Sequence, residues 1–460
     1  IAGFIVVALG CGLFTNQIIL SDFMEEHQIN IRMFRPMESY QKYGGVLTFA
    51  RSVGYAVVKK PEGYTTAKVD QIIQEYEKKS ANEQQSTAKQ YPNIITVVNE
   101  TFADIKVLGD FKTNEDYMPY FHSLKKNCVT GYTYASIVGG QTANTEFELL
   151  TGNTLGFLSA GTTAFQLYIH GQMPSLVSNL KAEGYSGNKA MHPFNPYNYN
   201  RPAVYKDFGF TDFIDKFDFP KNVKRVREYI SDEANVDRII SEYEKNRKKT
   251  DQPFYMYNMT IQNHSPYDKD AANFKQPIKI ESSKYDAEAN RYLNLIKYSD
   301  DSLKQLTGYF EKCKEPTIIL FLGDHQPRLT DEFMNKITNG QYQTWSSEQM
   351  MKRYQVPFVI WANYDIKEQH IEKTSMNYIQ SILTQTAGVK MTGYQRFLNE
   401  VRKEVPTITS QGYWGKNGKF YQINDKGSPY YGIIQKYRMI QYNMMFDKKN
   451  RRDSFFEVSK

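Results

Sequence analysis

The sequence predicts an α/β protein with a largely parallel, buried central sheet. Three observations predict it. Short β-branched or apolar runs recur at residues 93–98 (NIITVV), 254–261, 317–322 (TIILFL) and 356–362. Helical patterns separate them, for instance at 223–245 and 301–313. Apolar runs alternating with helices are the pattern of strands covered on both faces. Thirdly, three of the four runs end on polar residues: Asn99-Glu100, Gln262-Asn263-His264 and Gly323-Asp324-His325. Open α/β sheets bind ligands outside the carboxyl ends of their strands, so chemistry is expected there.

Taken in order, residues 1–14 (IAGFIVVALGCGLF) carry no charge and lead into Thr15-Asn16-Gln17. A spanning helix needs about 20 apolar residues, and a signal peptide needs a basic start that is missing here. We read residues 1–20 as the end of a transmembrane helix, with a buried N-terminal helix of a soluble protein as the alternative. Residues 21–90 read as a helical linker region with a helical patch at 37–56. In the stretch 64–79, Val69, Ile72, Ile73 and Tyr76 recur at i, i+3, i+4 and i+7, the spacing of an amphipathic helix. The polar stretch 80–90 (SANEQQSTAKQ) marks the main boundary. The α/β domain then occupies 91–390. Residues 391–460 form an α+β subdomain, because Asn417-Gly418 lies between two aromatic-rich runs and signals a hairpin. The basic run KKNRR at 448–452 reads as a solvated surface, with contact to anionic lipid as the lesser reading.

Composition excludes several classes. With 40% hydrophobic and 23% charged residues in 460, the chain is neither disordered nor fibrous. Lys and Arg number 57 against 50 Asp and Glu, and the net charge of +7 suits an anionic surface or substrate. It is not the dense basic footprint of a nucleic-acid binder. Three cysteines, Cys11, Cys128 and Cys313, support neither a disulfide framework nor a cysteine-rich zinc site. The chain has no P-loop, no Gly-x-Gly-x-x-Gly and no His-Glu-x-x-His.

Glu100, Asp324 and His325 supply two carboxylates and an imidazole at strand ends. Hard oxygen ligands with one nitrogen suit Mn²⁺, Mg²⁺ or Zn²⁺. Between them lies the small, polar segment 139–147 (GGQTANTEF), where a helix could begin. Thr142 there reads either as a helix N-cap or as a nucleophilic hydroxyl, which a metal can activate. A helix N-terminus also favours a phosphate.

The set Asn99-Glu100-Thr101-Phe102, Gly140-Gln141-Thr142-Ala143-Asn144-Thr145-Glu146-Phe147, Asn263-His264-Ser265-Pro266-Tyr267 and Gly323-Asp324-His325 resembles the lipoteichoic acid synthase family, with its motifs in order. These are membrane-anchored phosphoglycerol transferases of the alkaline phosphatase and sulfatase superfamily, and the resemblance runs from about residue 1 to about residue 440. It implies a sulfatase-like α/β/α sandwich. It also implies one metal site, typically manganese, formed by Glu100, Thr142, Asp324 and His325, with Thr142 as nucleophile and His264 at the substrate phosphate. The segment 192–201 (HPFNPYNYNR) is similar to the family's substrate-contacting stretch. His192 and Arg201 match it, whereas Tyr199 stands where the family usually has Trp. An arginine there suits a forked contact with phosphate.

That resemblance implies a donor, phosphatidylglycerol, and an acceptor that is a glycerophosphate chain, a glycolipid or a glycan. It places the domain on the outer face of a Gram-positive-type cell membrane, with no nucleic-acid partner. Phosphoethanolamine transferase is the enzymatic alternative, and an inactive scaffold binding an anionic polymer is the alternative of another class. A sulfatase activity needs a Cys or Ser for conversion to formylglycine, which Thr142 cannot supply. A two-metal phosphatase needs further Asp and His ligands, and of the seven histidines only His325 stands beside an Asp at a strand end.

Overall fold

The computed structural model describes residues 10, 12–14, 36–56, 58–80, 90–281 and 286–458. Most of the apolar run at 1–14, and with it the expected membrane remnant, lies outside those residues, as does most of the polar stretch 80–90. Among the described residues no helix is long and apolar enough to cross a membrane.

The strands in chain order are β1 (Asn93–Asn99), β2 (Cys128–Tyr134), β3 (Ser186–Met191), β4 (Asp212–Ile214), β5 (Arg225–Val226) and β6 (Tyr229–Ile230). They continue with β7 (Phe254–Met259), β8 (Thr317–Gly323), β9 (Gln355–Ala362), β10 (Gln369–Ser375), β11 (Thr407–Thr409), β12 (Gly412–Trp414) and β13 (Phe420–Tyr421). Eight of them form the main sheet, in the order β10-β2-β9-β8-β1-β7-β3-β4. Only β9 is reversed, pairing antiparallel with both β8 and β2. The run at 356–362, expected in a parallel sheet, is therefore the exception. Its residues are buried, and burial on two faces dictates an apolar run without fixing its direction.

Alternation along β1 divides the core. Ile94 and Val98 point into one apolar cluster, Ile95 and Val97 into the other, as a period of two requires. The helix Thr142–Thr151 covers the first face through Phe147 and Leu150. The helices Asp232–Arg247 and Ala287–Phe310 cover the second through Ile239, Leu293 and Ile296. The result is the expected three-layer α/β/α arrangement.

Two predicted helices have different bounds. The pattern at 223–245 is broken by the β5–β6 hairpin, where Arg227 takes a positive φ of 54°. The helix starts only after Ser231, whose hydroxyl accepts from the Ala234 amide at 3.1 Å. The helix expected at 301–313 begins earlier, at Ala287, behind the cap Asp286. The helical patch at 37–56 is the helix Pro36–Ala56, bent at Gly44, whose φ is 75°.

The Asn417-Gly418 hairpin is present. β12 and β13 pair antiparallel, Gly418 has a φ of 75°, and the Lys419 amide donates to the Asn417 side chain. β11 completes a three-stranded antiparallel sheet. The helix Thr66–Ser80, from the expected linker region, packs into this C-terminal part. Val69, Ile72 and Tyr76 are buried, and Tyr76 meets Phe397 edge-on with ring centroids 4.7 Å apart. The basic run at 448–452 is partly engaged, because the Arg452 guanidinium donates to both Asp70 oxygens at 2.6 and 2.8 Å.

Candidate active site

β1 and β8 are parallel neighbours in register from Asn93↔Thr317 to Asn99↔Gly323. Their ends are therefore level, and the next residues, Glu100 and Asp324, emerge side by side at the carboxyl edge. The turn after β1 crosses directly over Gly323, where a Cβ would lie 1.8 Å from the Phe102 carbonyl oxygen. Glycine is what lets that turn close. Thr101, at a φ of 55°, directs its amide to Asp324 Oδ1 at 2.6 Å, and the His325 amide donates to the same oxygen at 2.8 Å. The Thr101 hydroxyl donates to Glu100 Oε1 at 2.8 Å. Each carboxylate is thus held by one oxygen and presents the other.

The ligand atoms of Glu100, Asp324 and His325 lie within 4.8 Å of one another, and all three residues are buried. His325 Nδ1 lies 3.0 Å from the Gln326 carbonyl oxygen. A carbonyl can only accept, so Nδ1 carries a proton, and Nε2 is the ring atom turned to the two carboxylates. Nε2 is 3.2 Å from Asp324 Oδ2 and 3.8 Å from Glu100 Oε1. Neither Nε2 nor Oδ2 has a hydrogen-bond partner. Burial, and then the neighbouring Asp324 charge, push the Glu100 carboxyl upward. Buried acceptors without donors cost about 1–3 kcal/mol each, and a cation among them removes that cost. Two carboxylates and an imidazole whose other N–H is held by a carbonyl are a donor set that fits a hard divalent ion.

Thr142 completes the group, with its hydroxyl 3.5 Å from Glu100 Oε2. It is the first residue of its helix, not the cap. Gln141 is the cap, in left-handed conformation and without a side-chain cap bond. Gly139, Gly140 and Gln141 all have positive φ, and this tight turn brings the helix N-terminus to the strand ends. The Thr145 hydroxyl fastens it there by donating to the Asp324 carbonyl oxygen at 2.8 Å. The Thr142 hydroxyl therefore lies where a helix dipole favours negative charge.

The residues from the segment 192–201 and His264 gather alongside. His192 is buried, and its Nδ1 donates to the Met259 carbonyl at 2.9 Å. Burial and the Arg201 charge hold it well below the usual histidine range, so it is neutral and offers Nε2 as an acceptor. His264 Nδ1 donates to the Ser265 carbonyl at 2.7 Å, and burial lowers its pKa too. Phe194 stands between the two histidines, with ring centroids 6.1 Å from His192 and 6.2 Å from His264. Tyr199 and Asn200 both take left-handed backbone angles, φ 60° and 58°. Such non-glycine strain is tolerated where surrounding structure imposes it. The Arg201 guanidinium lies over the Tyr199 ring, 5.1 Å from its centroid.

The expected forked contact of Arg201 goes to a protein carboxylate. Nε and Nη2 donate to Glu146 Oε1 at 3.1 and 2.7 Å. Tyr205 and Tyr257 donate to the other oxygen of Glu146. One edge of the guanidinium is spent on this buried pair, which leaves the second Nη2 hydrogen and both Nη1 hydrogens for a substrate.

Sequence reasoning missed Glu146 as this partner, Thr101 as the support of Asp324, and Tyr229 beside His264 at 5.7 Å between ring centroids. Tyr229 was hidden because its hairpin read as helix. Asn99 and Asn263, matched as motif residues, are structural. Asn263 donates to Asn99 and Ser299, and Asn99 donates to the buried Asp232.

Comparison with known proteins gives the family and the fold. The model of the family described as Sulfatase matches residues 92–389. A Rhizobium meliloti protein named for cyclic beta-1,2-glucan modification is 30% identical over 433 residues, covering 92% of this chain and 65% of its own. The lipoteichoic acid synthase-like protein YvgJ of Bacillus subtilis is 27% identical over 240 residues, covering 51% of this chain and 36% of its own. The chain thus spans less than two thirds of the length of either relative. Among solved structures, the Streptococcus pyogenes phosphoglycerol transferase GacH, in complex with sn-glycerol-1-phosphate, superposes with a TM-score of 0.70 at 20% identity. That match covers 87% of this chain and all of the other, and it establishes the shared fold.

Proposed function

The chain belongs to the sulfatase family of the alkaline phosphatase superfamily, and from that premise we propose that it is a phosphoglycerol transferase. In this reading it moves glycerophosphate from phosphatidylglycerol to a cell-envelope acceptor through a covalent threonine intermediate. The observation that carries the proposal is the Thr142 hydroxyl, at a helix N-terminus and 3.5 Å from Glu100 Oε2, beside the unpartnered acceptors of Asp324 and His325. Threonine cannot become formylglycine, so the family's sulfate-ester chemistry is not the one this site is built for.

The chemistry balances as follows. The Thr142 hydroxyl passes its proton to Glu100, and its oxygen forms a bond to the lipid phosphorus. The bond from phosphorus to the diacylglycerol oxygen breaks, and that oxygen takes a proton from water. His264, neutral with Nε2 unprotonated, accepts the proton of the incoming acceptor hydroxyl in the second transfer. The bond from phosphorus to Thr142 breaks, the Thr142 oxygen takes back the proton held by Glu100, and His264 gives its proton to the hydroxide left by the first step. His192, equally neutral, accepts from a glycerol hydroxyl and does not donate to phosphate. Arg201, fixed by Glu146, presents charge to the phosphoryl group from beside Tyr199. A divalent cation, manganese in this reading with magnesium or zinc as alternatives, would be held by Glu100, Asp324, His325 and Thr142. It would supply the positive charge that lowers the proton affinity of the threonine hydroxyl and offsets charge on the phosphoryl oxygens.

The α/β domain at 91–390 is the catalytic domain, residues 391–460 are its subdomain, and the site faces the extracytoplasmic side of a membrane. The acceptor is a glycerophosphate chain, a glycolipid or a glycan. The relative named for glucan modification and the relative named for lipoteichoic acid synthesis support an envelope polymer as that class. The test is diacylglycerol release from phosphatidylglycerol. Wild type with Mn²⁺ releases it, while chelation or Thr142→Ala abolishes release. Consumption of phosphatidylethanolamine in place of phosphatidylglycerol would reassign the headgroup. Turnover of neither lipid would overturn the reading.

A further inference from the structure

The exposed apolar side chains are not scattered. Among the described residues, every large one lies no later than Val53 or in the two loops that carry Tyr197 and Phe217. On the helix Pro36–Ala56, Val46 is 72% exposed, Phe49 67% and Val53 39%. Their spacing of three and four residues puts them on one helix face. Tyr197 is 79% exposed and Phe217 73%.

Hydrogen bonds tie these features to the elements that carry the site. Asn144, in the first turn of the Thr142 helix, donates to the Thr162 carbonyl and accepts from the Ala164 amide. The short helix Ala164–Leu167 follows, and Tyr168 after it donates to the Tyr55 carbonyl at 2.7 Å, which moors the end of the helix Pro36–Ala56. Phe217 follows β4 at the carboxyl edge, in a loop whose Lys216 amide donates to the carbonyl of Phe194 between the two site histidines. Tyr197 lies two residues before Tyr199.

We propose that this rim is a lipid-docking face, with the helix Pro36–Ala56 lying in the interfacial layer of an anionic bilayer and Tyr197 and Phe217 inserting beside the mouth of the site. The proposal rests on the reading that the donor is a lipid, and it adds how that lipid's surface is met. The helix and its exit lean positive: Lys42, Lys59 and Lys60 are exposed there against Glu38 and Glu62, while the Lys216 ammonium, between Asp215 and Asp218, lies 5.0 Å from the Phe217 ring centroid. An apolar face flanked by cations is the pattern of a helix that lies on an anionic membrane. Residues 15–35 join the helix directly to the uncharged run at 1–14, so the same chain supplies a second apolar contact. Aromatic rings at a wet rim suit the headgroup level.

The test uses the whole chain with one reporter tryptophan at a time, Phe49→Trp or Phe217→Trp, and vesicles of phosphatidylglycerol with brominated acyl chains. Emission of both variants shifts to the blue and is quenched, while that of the parent, from Trp345, Trp361 and Trp414, is not. Phosphatidylcholine vesicles quench far less. A Val46→Ser/Phe49→Ser/Val53→Ser protein keeps its rate on short-chain monomeric phosphatidylglycerol but loses on the order of tenfold on vesicles, because three apolar side chains no longer enter the lipid. The proposal is overturned if the reporters stay unquenched while the chain sediments with vesicles, because the run at 1–14 then does all the binding. It is equally overturned if Phe49→Trp is already blue-shifted without lipid, because the chain then covers its own face. Quenching without diacylglycerol release from either form of the lipid would sink the transferase reading and leave the docking face standing.

Discussion

Nε2 of His325 and Oδ2 of Asp324 face each other at 3.2 Å, with Nδ1 of the same ring against the Gln326 carbonyl, and neither atom has a hydrogen-bond partner. A divalent cation held by both atoms would give each of them a partner. Binding of Mn²⁺ should therefore stabilise the fold, by about 2.7 kcal/mol at a free metal concentration 100 times Kd. Thermal unfolding with and without Mn²⁺ measures this without any turnover. Asp324→Ala should lose most of the shift, and an equal shift in that variant would place the ion elsewhere.

The buried pair of Arg201 and Glu146 makes a sharper stability prediction. Both side chains are essentially inaccessible, and the charges are 2.7 Å apart. Removing one partner of such a pair costs about 3–5 kcal/mol because the other charge is stranded. Glu146→Gln should approach that cost in a denaturant titration. Adding Arg201→Met should recover part of it, and additive losses would mean the two act independently.

His122 predicts a pH dependence away from the site. Its Nδ1 is 2.7 Å from Asp116 and its Nε2 3.8 Å from Asp104. The Asp104 carboxylate, against burial and together with Asp116, raises it to about 9. A raised histidine stabilises the fold fully below its unfolded value of about 6.5. That contribution is lost as pH rises through about 9. The unfolding midpoint of wild type should fall across that window, whereas that of His122→Gln should fall less. Parallel profiles would show that His122 contributes nothing.

Gly323→Ala tests the closure of the strand ends. Its Cβ would lie 1.8 Å from the Phe102 carbonyl oxygen, and neither backbone can yield without separating Glu100 from Asp324. Overpacking of this severity should cost about 3 kcal/mol or more. The protein that still folds should lose the Mn²⁺ shift, and retention of that shift would show that the turn tolerates a side chain.

Much of this was readable in the chain because burial dictates it. Strands β1, β7 and β8 are mostly apolar and buried throughout, and their polar exits fall where the sheet ends, so Glu100, Asp324 and His325 could be named together with Thr142. Direction was not readable, because β9 is as apolar as its parallel neighbours. The β5–β6 hairpin was not readable either. Its departure from helix depends on the single positive φ at Arg227, stabilised by bonds from the Arg227 guanidinium to the Gln262, His264 and Pro266 carbonyls. Those partners lie some forty residues away. The Arg201–Glu146 pair was obscured for the same reason, since an arginine in a phosphate-like motif gives no sign that a distant carboxylate already holds one edge of it.

The most direct test of the central claim is to find the covalent intermediate. The protein is mixed with phosphatidylglycerol labelled in its headgroup glycerol, with Mn²⁺ and no acceptor, then denatured and digested. The label should be retained on one peptide, the one containing Thr142, and be absent in Thr142→Ala. Label on another residue, or diacylglycerol release in wild type with no label retained on the protein at any time after mixing, would contradict a threonine-linked transfer.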